Sequence, residues 1–319
     1  MKHACFVGFD TSNYTTSAAV CTLEGEVIAN IKAPLPVREG DCGLRQSDAV
    51  FAHVRNLPKV SDALREAIRP YRVQAVGYSA RPRSVEGSYM PCFLAGHAAA
   101  QSFAAALDVP LFDFSHQDGH IMAALYSTGN AEEWMMRPFA AFHVSGGTTE
   151  VLSVTPSKNA FSVKLIGETE DLNAGQAIDR VGVMMGLQFP CGKEMERLAA
   201  QYHGDLPKPR ICVRNGNCNL SGLQNLAKTM WEAERDPSKV SAYVLSFLGA
   251  TLLAMTDALD ETNPNIPILY AGGVMSNHYL QSVLSVRPNT GFAEPQFSAD
   301  NAAGIALLCR RAFLCVNGA

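Results

Sequence analysis

None of the nine cysteines (Cys5, Cys21, Cys42, Cys92, Cys191, Cys212, Cys218, Cys309 and Cys315) stands in a CxxC pair, and the odd count argues against a full disulfide framework. They fall on apolar strands or beside turns, as expected of buried thiols in a reducing, cytoplasmic compartment. A basic excess is missing too: 26 Lys and Arg face 30 acidic residues, a formal charge of -4. That excludes a chain-wide electrostatic footprint for nucleic acid, so an RNA partner needs a local basic patch or a helper protein. Low-complexity segments and long uncharged apolar runs are absent. The nearest approach is Val240 to Met255, where Val240, Tyr243, Val244, Phe247, Leu248, Leu252 and Met255 follow helical spacing with Ser246, Gly249 and Thr251 between them. This reads as a core helix too polar for lipid, and the short N-terminal apolar run meets Asp10 without the shape of a signal peptide. No membrane partner is expected.

What is present suits two lobes with separate cores, since the chain has 319 residues of which 47% are hydrophobic. Three apolar strands run into turns of small and hydroxyl residues: Phe6-Val7-Gly8-Phe9-Asp10-Thr11-Ser12, Phe142-His143-Val144-Ser145-Gly146-Gly147-Thr148-Thr149, and Ile268-Leu269-Tyr270-Ala271-Gly272-Gly273-Val274. Glycine lets backbone approach a ligand closely, and successive amides in such turns form anion-binding concavities. Each turn alone is ordinary strand closure, but recurrence at roughly 130-residue intervals points to a duplicated α/β lobe with a nucleotide held between the copies.

The element pattern repeats as well. Strands at Phe6–Asp10, Thr16–Cys21 and Glu26–Ile31 form a meander, followed by a helix from Ser47 to about Ile68, a strand at Val73–Tyr78, a helix at Phe93–Leu107 and a strand at Val109–Phe112. A second meander at Phe139–His143, Glu150–Ser153 and Val163–Ile166 precedes helices at Ala174–Gly186 and Glu194–Tyr202, a polar loop at Asn215–Asn219, a helix at Val240–Leu259, a strand at Ile268–Ala271 and a last helix from about Ala302 to Cys315. This plan is that of an α/β, actin-like ATPase fold. Residues 1–134 form the first lobe, completed by the C-terminal helix at about 301–319, and residues 135–300 form the second; the connection lies near Gly129–Pro138.

Within Phe114-Ser115-His116-Gln117-Asp118-Gly119-His120 two histidines stand four apart, on one face of a helical turn where both imidazoles can reach one metal ion. Asp300, at the mouth of the final helix, is the third candidate ligand. Two histidines and a carboxylate with open positions suit Fe(II) best, and Zn also fits. The same residues have structural readings: Ser115-x-x-Asp118 is a capping box, and Asp300 or Ser298 can cap the last helix.

Seven ordered motifs carry a resemblance: His116-Gln117-Asp118-Gly119-His120, Val144-Ser145-Gly146-Gly147-Thr148, Gly167-Glu168-Thr169, Ala174-Gly175-Gln176-Ala177-Ile178-Asp179-Arg180, Leu220-Ser221-Gly222-Leu223, Gly272-Gly273-Val274-Met275-Ser276-Asn277 and Asp300-Asn301-Ala302-Ala303. Together they resemble the TsaD family, once described as O-sialoglycoprotein endopeptidases. The resemblance implies an actin-like fold with a nucleotide and metal cleft, and transfer of a threonylcarbamoyl group from threonylcarbamoyl-adenylate to the N6 amine of a tRNA adenosine beside the anticodon. It also implies His116, His120 and Asp300 as metal ligands, and His143, Val144, Ser145, Gly146 and Gly147 as the loop over the adenylate. Asp179, Gly192, Glu196, Gly272, Gly273 and Asn277 complete the binding set. Asp179 and Glu196 can accept from ribose hydroxyls and Asn277 offers an amide. The expected cofactors are one divalent metal and an adenylate substrate or ATP/AMP. The expected partners are tRNA, a smaller actin-like paralogue and a small ATPase.

No general base is evident; Asp118 and Asp10 are carboxylates in suitable segments, for which capping and turn formation are the competing roles. The family's Glu-Thr-Ser-Cys-Asp-Glu-Thr is here Asp10-Thr11-Ser12-Asn13-Tyr14-Thr15-Thr16, and its His-x-Glu-Gly-His carries Asp118 in place of glutamate. Thr148 replaces a histidine, Gln176 a glutamate and Cys191 a glycine, while Arg81-Pro82-Arg83 stands at a Gly-Pro-Gly and offers two cations to phosphate or an acidic partner. A divergent paralogue is the expectation. The competing functions are carbamoyl transfer to another acceptor and a non-catalytic nucleotide-binding relative that regulates a true family member. A peptidase ranks below these because HExxH and its glutamate base are lacking.

Overall fold

The computed structural model describes residues 2–12, 14–36, 44–158, 160–298 and 300–318. Asn13 of the first turn and Cys42 lie outside the described residues. In chain order the elements are strands β1 (His3–Asp10), β2 (Thr15–Thr22) and β3 (Val27–Pro34), helix α1 (Gln46–Ile68), β4 (Tyr71–Arg81), α2 (Phe93–Leu107), β5 (Leu111–Ser115), α3 (His116–Ser127) and the single turn α4 (Ala131–Trp134). Then come β6 (Phe139–Val144), β7 (Thr149–Pro156), β8 (Phe161–Glu168), α5 (Ala174–Met184), α6 (Gly192–Ala199), the hairpin β9 (Cys212–Arg214) and β10 (Asn217–Asn219), and α7 (Ser221–Glu234). The chain closes with α8 (Pro237–Thr262), β11 (Ile268–Ala271), α9 (His278–Leu284), β12 (Thr290–Phe292), α10 (Pro295–Ser298) and α11 (Ala303–Val316).

Two compact units result. The first takes Met1–Ala131, Pro156–Ser162 and Gln296–Ala319, and the second takes Glu132–Thr155 and Val163–Pro295. The tip of the β7–β8 hairpin, which the sequence division places in the second lobe, clusters with the first unit because Arg311 Nη2 donates to Ser157 O at 3.1 Å and the Cys315 thiol to Lys158 O.

The sheet of the first unit runs β3-β2-β1-β4-β5, with β2 antiparallel to both neighbours and β4 parallel to both. Alternation sorts the residues of β1 onto its two faces. Cys5, Val7 and Phe9 join Val60 and Leu64 of α1 and Ala100 and Ala104 of α2 in one core. Phe6 and Gly8 face α11: the Phe6 and Phe313 rings are 5.4 Å apart, and a Cβ on Gly8 would stand 2.5 Å from Ala306 N. Gly77 of β4 makes a similar approach, its would-be Cβ lying 2.9 Å from Cys309 Cβ. On its other side α11 crosses α3 where Gly304 meets the carbonyl of Gly119, and a Cβ on Gly119 would come within 2.8 Å of Ile305 Cδ1. Four glycines, on β1, β4, α3 and α11 itself, thus let α11 lie against both the sheet and α3.

The second unit repeats the plan, its sheet running β12-β11-β6-β7-β8 with β6 antiparallel to β7 and parallel to β11. Val240, Tyr243, Val244, Phe247, Leu248, Leu252 and Met255 of α8 are buried against Phe142, Val144 and Tyr270, so the apolar stripe read from the sequence is a protein core. Three expectations shift. The fifth strand is Leu111–Ser115 rather than Val109–Phe112, because Val109 N bonds back to Ala104 O and closes α2 while Phe112 to Ser115 pair with β4. Helix α6 begins two residues early, at Gly192, and ends at Ala199. The expected polar loop holds strand β10, and α7, not anticipated, follows it.

Replacing Gly304 with alanine overpacks the α3–α11 crossing. Chemical denaturation should show a loss toward the upper end of the ~1–3 kcal/mol typical of overpacked cores, whereas alanine at Gly147, whose Cβ would meet nothing within 4 Å, should cost far less.

Candidate metal centre and nucleotide loops

Helix α3 begins on a capping box: Ser115 Oγ accepts from Asp118 N at 3.0 Å, and Asp118 Oδ2 accepts from Ser115 N at 3.2 Å. The cap fixes the first turn and thereby the direction of His116 and, one turn on, His120. Their rings stand 4.2 Å apart and nearly perpendicular. Asp300, just ahead of α11, places Oδ1 3.2 Å from His120 Nε2 and 3.7 Å from His116 Nε2. One ligand atom from each of the three lies within 4.8 Å of the others. Asp300 does not cap α11; Asn301 Oδ1 takes the Ala303 N–H instead, at 2.9 Å.

Asp10 ends β1 on the same face as Gly8, and its two oxygens have different partners. Oδ1 accepts from Ser12 N at 2.7 Å, closing the turn, and Oδ2 lies 2.8 Å from His116 Nδ1. A carboxylate oxygen only accepts, so the proton is on Nδ1 and Nε2 faces Asp300 and His120. A carboxylate behind a histidine is the common outer arrangement of metal-binding imidazoles. Two imidazole nitrogens and one carboxylate oxygen form a donor set suited to a divalent ion with open positions, and the buried hydroxyl Ser12 Oγ has no partner among the described residues. These residues fit a divalent cation.

The charges are coupled. Burial by itself would raise Asp10, but the charge and hydrogen bond of His116 outweigh it and hold Asp10 below its usual range. Burial likewise opposes protonation of His116, yet Asp10 and then Asp300 raise it above the ordinary imidazole value. Asp300 is brought down to about 2, against the effect of its burial, by its hydrogen bond to His120 and the charges of both histidines.

Asp118 is not brought into this cluster. Two residues beyond His116, it faces away along α3 and is 1% exposed. Its Oδ2 accepts from Ser115 Oγ and Ser84 Oγ at 2.6 and 2.9 Å, and it lines a cavity of about 310 Å³ with Arg81, Ser84 and Asp113. Arg81, one of the two arginines considered for phosphate, is paired with Asp113 at 2.7 Å.

In the second unit the two glycine turns are interlocked. Gly272, at φ +100°, abuts the carbonyl of Val144, and a Cβ on Gly175 would lie 2.7 Å from Gly146 N. The outer side is open: nothing lies within 4 Å of a Cβ built on Gly146, Gly147, Gly192 or Gly273. Two amides expected to face an anion turn inward instead, Gly147 N and Thr148 N donating to Ser145 Oγ at 3.3 and 3.1 Å. His143 Nδ1 sits 3.8 Å from Glu150 Oε1. Asp179 Oδ1 accepts from Cys191 N at 2.8 Å, Glu196 Oε1 accepts from His278 N at 2.7 Å, and Asn277 Oδ1 caps α9 through Leu280 N at 3.0 Å. A residue not singled out in the sequence, Asp171, joins two of the motifs: its oxygens accept from Leu172 N, Leu220 N, Ser221 N and Ser221 Oγ. Its nearness to Thr169 was the available signal.

Comparison with known proteins adds relatives and a fold. Residues 36–307 match the family described as TsaD, tRNA N6-adenosine threonylcarbamoyltransferase. The tRNA N6-adenosine threonylcarbamoyltransferase of Streptococcus gordonii is 32% identical over 297 residues, covering 89% of this chain and 84% of the relative. That of Streptococcus sanguinis is 32% identical over 296 residues with the same coverage. Among solved structures, full-length HypF in a phosphate- and nucleotide-bound form superposes with TM-score 0.59 at 11% identity over 100% of this chain and 57% of its own. Component A of the Acidaminococcus fermentans (R)-2-hydroxyglutaryl-CoA dehydratase superposes with TM-score 0.53 at 10% identity, covering 98% of this chain and 99% of that one. At such identities the likeness is one of fold, and the fold is the actin-like ATPase architecture.

Asp10→Asn should lower divalent-cation affinity ~10–100-fold, the usual effect of losing an outer partner of a ligand histidine. Wild-type affinity should rise with pH, because a cation displaces the His116 proton, and the rise should extend above the ordinary imidazole value of ~6.5. Without cation the signs are opposed. The raised His116 stabilises the fold below the unfolded imidazole value, and this is lost as pH rises through its elevated one. The lowered Asp10 and Asp300 stabilise above the unfolded carboxylate values, and this is lost as pH falls through their depressed ones. Calorimetric titrations and melts across pH check both.

Proposed function

Because this chain belongs to the TsaD family of tRNA N6-adenosine threonylcarbamoyltransferases, and is thus a transferase, we propose that it moves a threonylcarbamoyl group from threonylcarbamoyl-adenylate to the N6 amine of a tRNA adenosine beside the anticodon. The observation that carries the reading is the meeting of His116, His120 and Asp300, with Asp10 behind the first histidine. A divalent ion bound there, Fe(II) or Zn, supplies Lewis-acid polarisation of the acyl group. The chain's own residues do the rest. Asp10 orients His116, and the capping box holds the helix turn that carries the pair. The open glycines Gly146, Gly147 and Gly273 let backbone approach phosphate, while Asp179 and Glu196 each have one carboxylate oxygen engaged by protein and the other available to ribose hydroxyls. In this reading Asp10 and Asp118 position other groups, and no side chain is assigned as general base.

The protein is proposed to work in the cytoplasm, in keeping with described cysteines that are mostly buried thiols. A net charge of -4 gives little affinity for tRNA, so the reading includes the smaller actin-like paralogue and the small ATPase as partners. Departures at Thr148 and Gln176, together with 32% identity to the relatives above, mark a divergent member.

Elemental analysis of the pure protein should find one divalent metal per chain, and His116→Ala, His120→Ala and Asp300→Ala should each remove it and abolish modification of tRNA by mass spectrometry in the presence of the partners. Stoichiometric metal in a His116→Ala/His120→Ala double variant would end the assignment. AMP release driven only by small hydroxyl acceptors would favour carbamoyl transfer elsewhere, and adenylate binding without turnover would favour a regulatory paralogue.

A further inference from the structure

Ser17 of β2 stands between two partners, Asp10 of β1 on one side and Lys32 of β3 on the other. Residues paired directly across antiparallel strands share a face of the sheet, so Lys32, Ser17 and Asp10 form one row on the face that carries the metal centre. Lys32 is the outer member, on the edge strand. Its ammonium reaches the returning end of the chain, where Nζ donates to Gln296 O at 2.6 Å across 264 residues. Gln296 is the residue at which the chain re-enters the first unit, within α10 and four positions ahead of Asp300. The charge of Asp300 acts on the same ammonium, opposing the lowering that burial imposes on Lys32. Further contacts hold this stretch: Phe297 packs edge-on against Tyr126 at 5.4 Å, and Asn301 Nδ2 donates to Phe297 O at 3.2 Å. The backbone N–H of Tyr14 bonds Asp300 itself.

Of the three ligands only Asp300 does not stand on α3, so it meets the histidines only if the stretch before α11 keeps its place. Resting on the proposal above that a divalent ion binds His116, His120 and Asp300, we propose that Lys32 is a positioning residue for that ion: its bond to Gln296 O tethers the returning chain and sets Asp300 against the imidazoles. An electrostatic bystander would act in the opposite sense. An ammonium beside a cation site repels the incoming ion, so removing its charge alone tightens binding, most of all at low salt. Removing a tether loosens binding, because Asp300 must then be ordered as the ion arrives. The sign of the change separates the two roles. Arginine keeps both the charge and a donor, while methionine keeps an unbranched stem and neither.

The test is calorimetric titration of the full chain with Zn(II) and with Co(II), for the wild type, Lys32→Met and Lys32→Arg, together with Co(II) absorption spectra of the loaded proteins. Lys32→Met should bind both ions ~10-fold more weakly, the lower end of what outer partners of metal ligands contribute, and equally so at low and high salt. Its Co(II) bands should differ from those of the wild type, because they report the ligand set and its geometry rather than the fold. Lys32→Arg should restore most of the affinity and the wild-type bands. Unchanged or tighter binding in Lys32→Met, weaker binding with wild-type Co(II) bands, or a Lys32→Arg protein as weak as Lys32→Met would each overturn this inference and leave the three-ligand centre standing. No binding of either ion to the wild type would overturn the metal assignment itself, and with it the inference.

Discussion

The close crossing of α3 and α11 at Gly119 and Gly304 is the constraint on which the rest of the first unit depends. Side chains at both positions would hold the helices apart by the width of at least a methyl group. Asp300 sits four residues ahead of Gly304, and His120 immediately follows Gly119, so such a displacement would pull the carboxylate away from the imidazoles. Gly8 and Gly77 perform the same service on the sheet side. The glycines are thus needed for the absence of a side chain in four places around one helix, and the reward is a three-residue cluster whose members come from distant parts of the chain.

Electrostatics then sets the state of that cluster. Burying an imidazole between two carboxylates costs desolvation, and the arrangement holds because each charge has an opposite one within hydrogen-bonding reach. His116 is hydrogen-bonded to Asp10 through Nδ1 at 2.8 Å, and its Nε2 faces Asp300 Oδ1 at 3.7 Å. Two imidazole nitrogens and a carboxylate oxygen thus converge within 4.8 Å of one another, an arrangement that a positive charge would suit. In the second unit the logic is different: glycine turns back onto each other, and Asp179, Glu196 and Asn277 near them each give one oxygen to a backbone amide.

Much of this was legible beforehand. The HxxxH spacing placed both histidines on one face, and the strand-and-turn repeats announced two similar sheets, because both are local patterns with fixed periods. What escaped notice depended on distant partners. Asp10 could be identified as a turn residue from its neighbours, but its bond to His116 spans 106 residues and leaves no mark in either segment. Helix α7 was missed for a related reason. Of its residues Leu223 and Ala227 alone are fully buried, too narrow a stripe to stand out, and the amide at its start is satisfied by Asp171 from 50 residues upstream rather than by a local cap. The end of α2 misled in a different way, since Val109 looks like a strand residue and instead closes the helix.

The first unit is assembled from both ends of the polypeptide, and that has a bearing on biosynthesis. When residue 131 leaves the ribosome, β1 and β4 have no helix over Gly8 and Gly77, and the histidine pair has no third ligand. The second unit must be translated in full before α11 appears. Translation order therefore delays assembly of the His116, His120 and Asp300 cluster until the C-terminal residues emerge, and until then the sheet face that α11 covers at Gly8 and Gly77 stays bare.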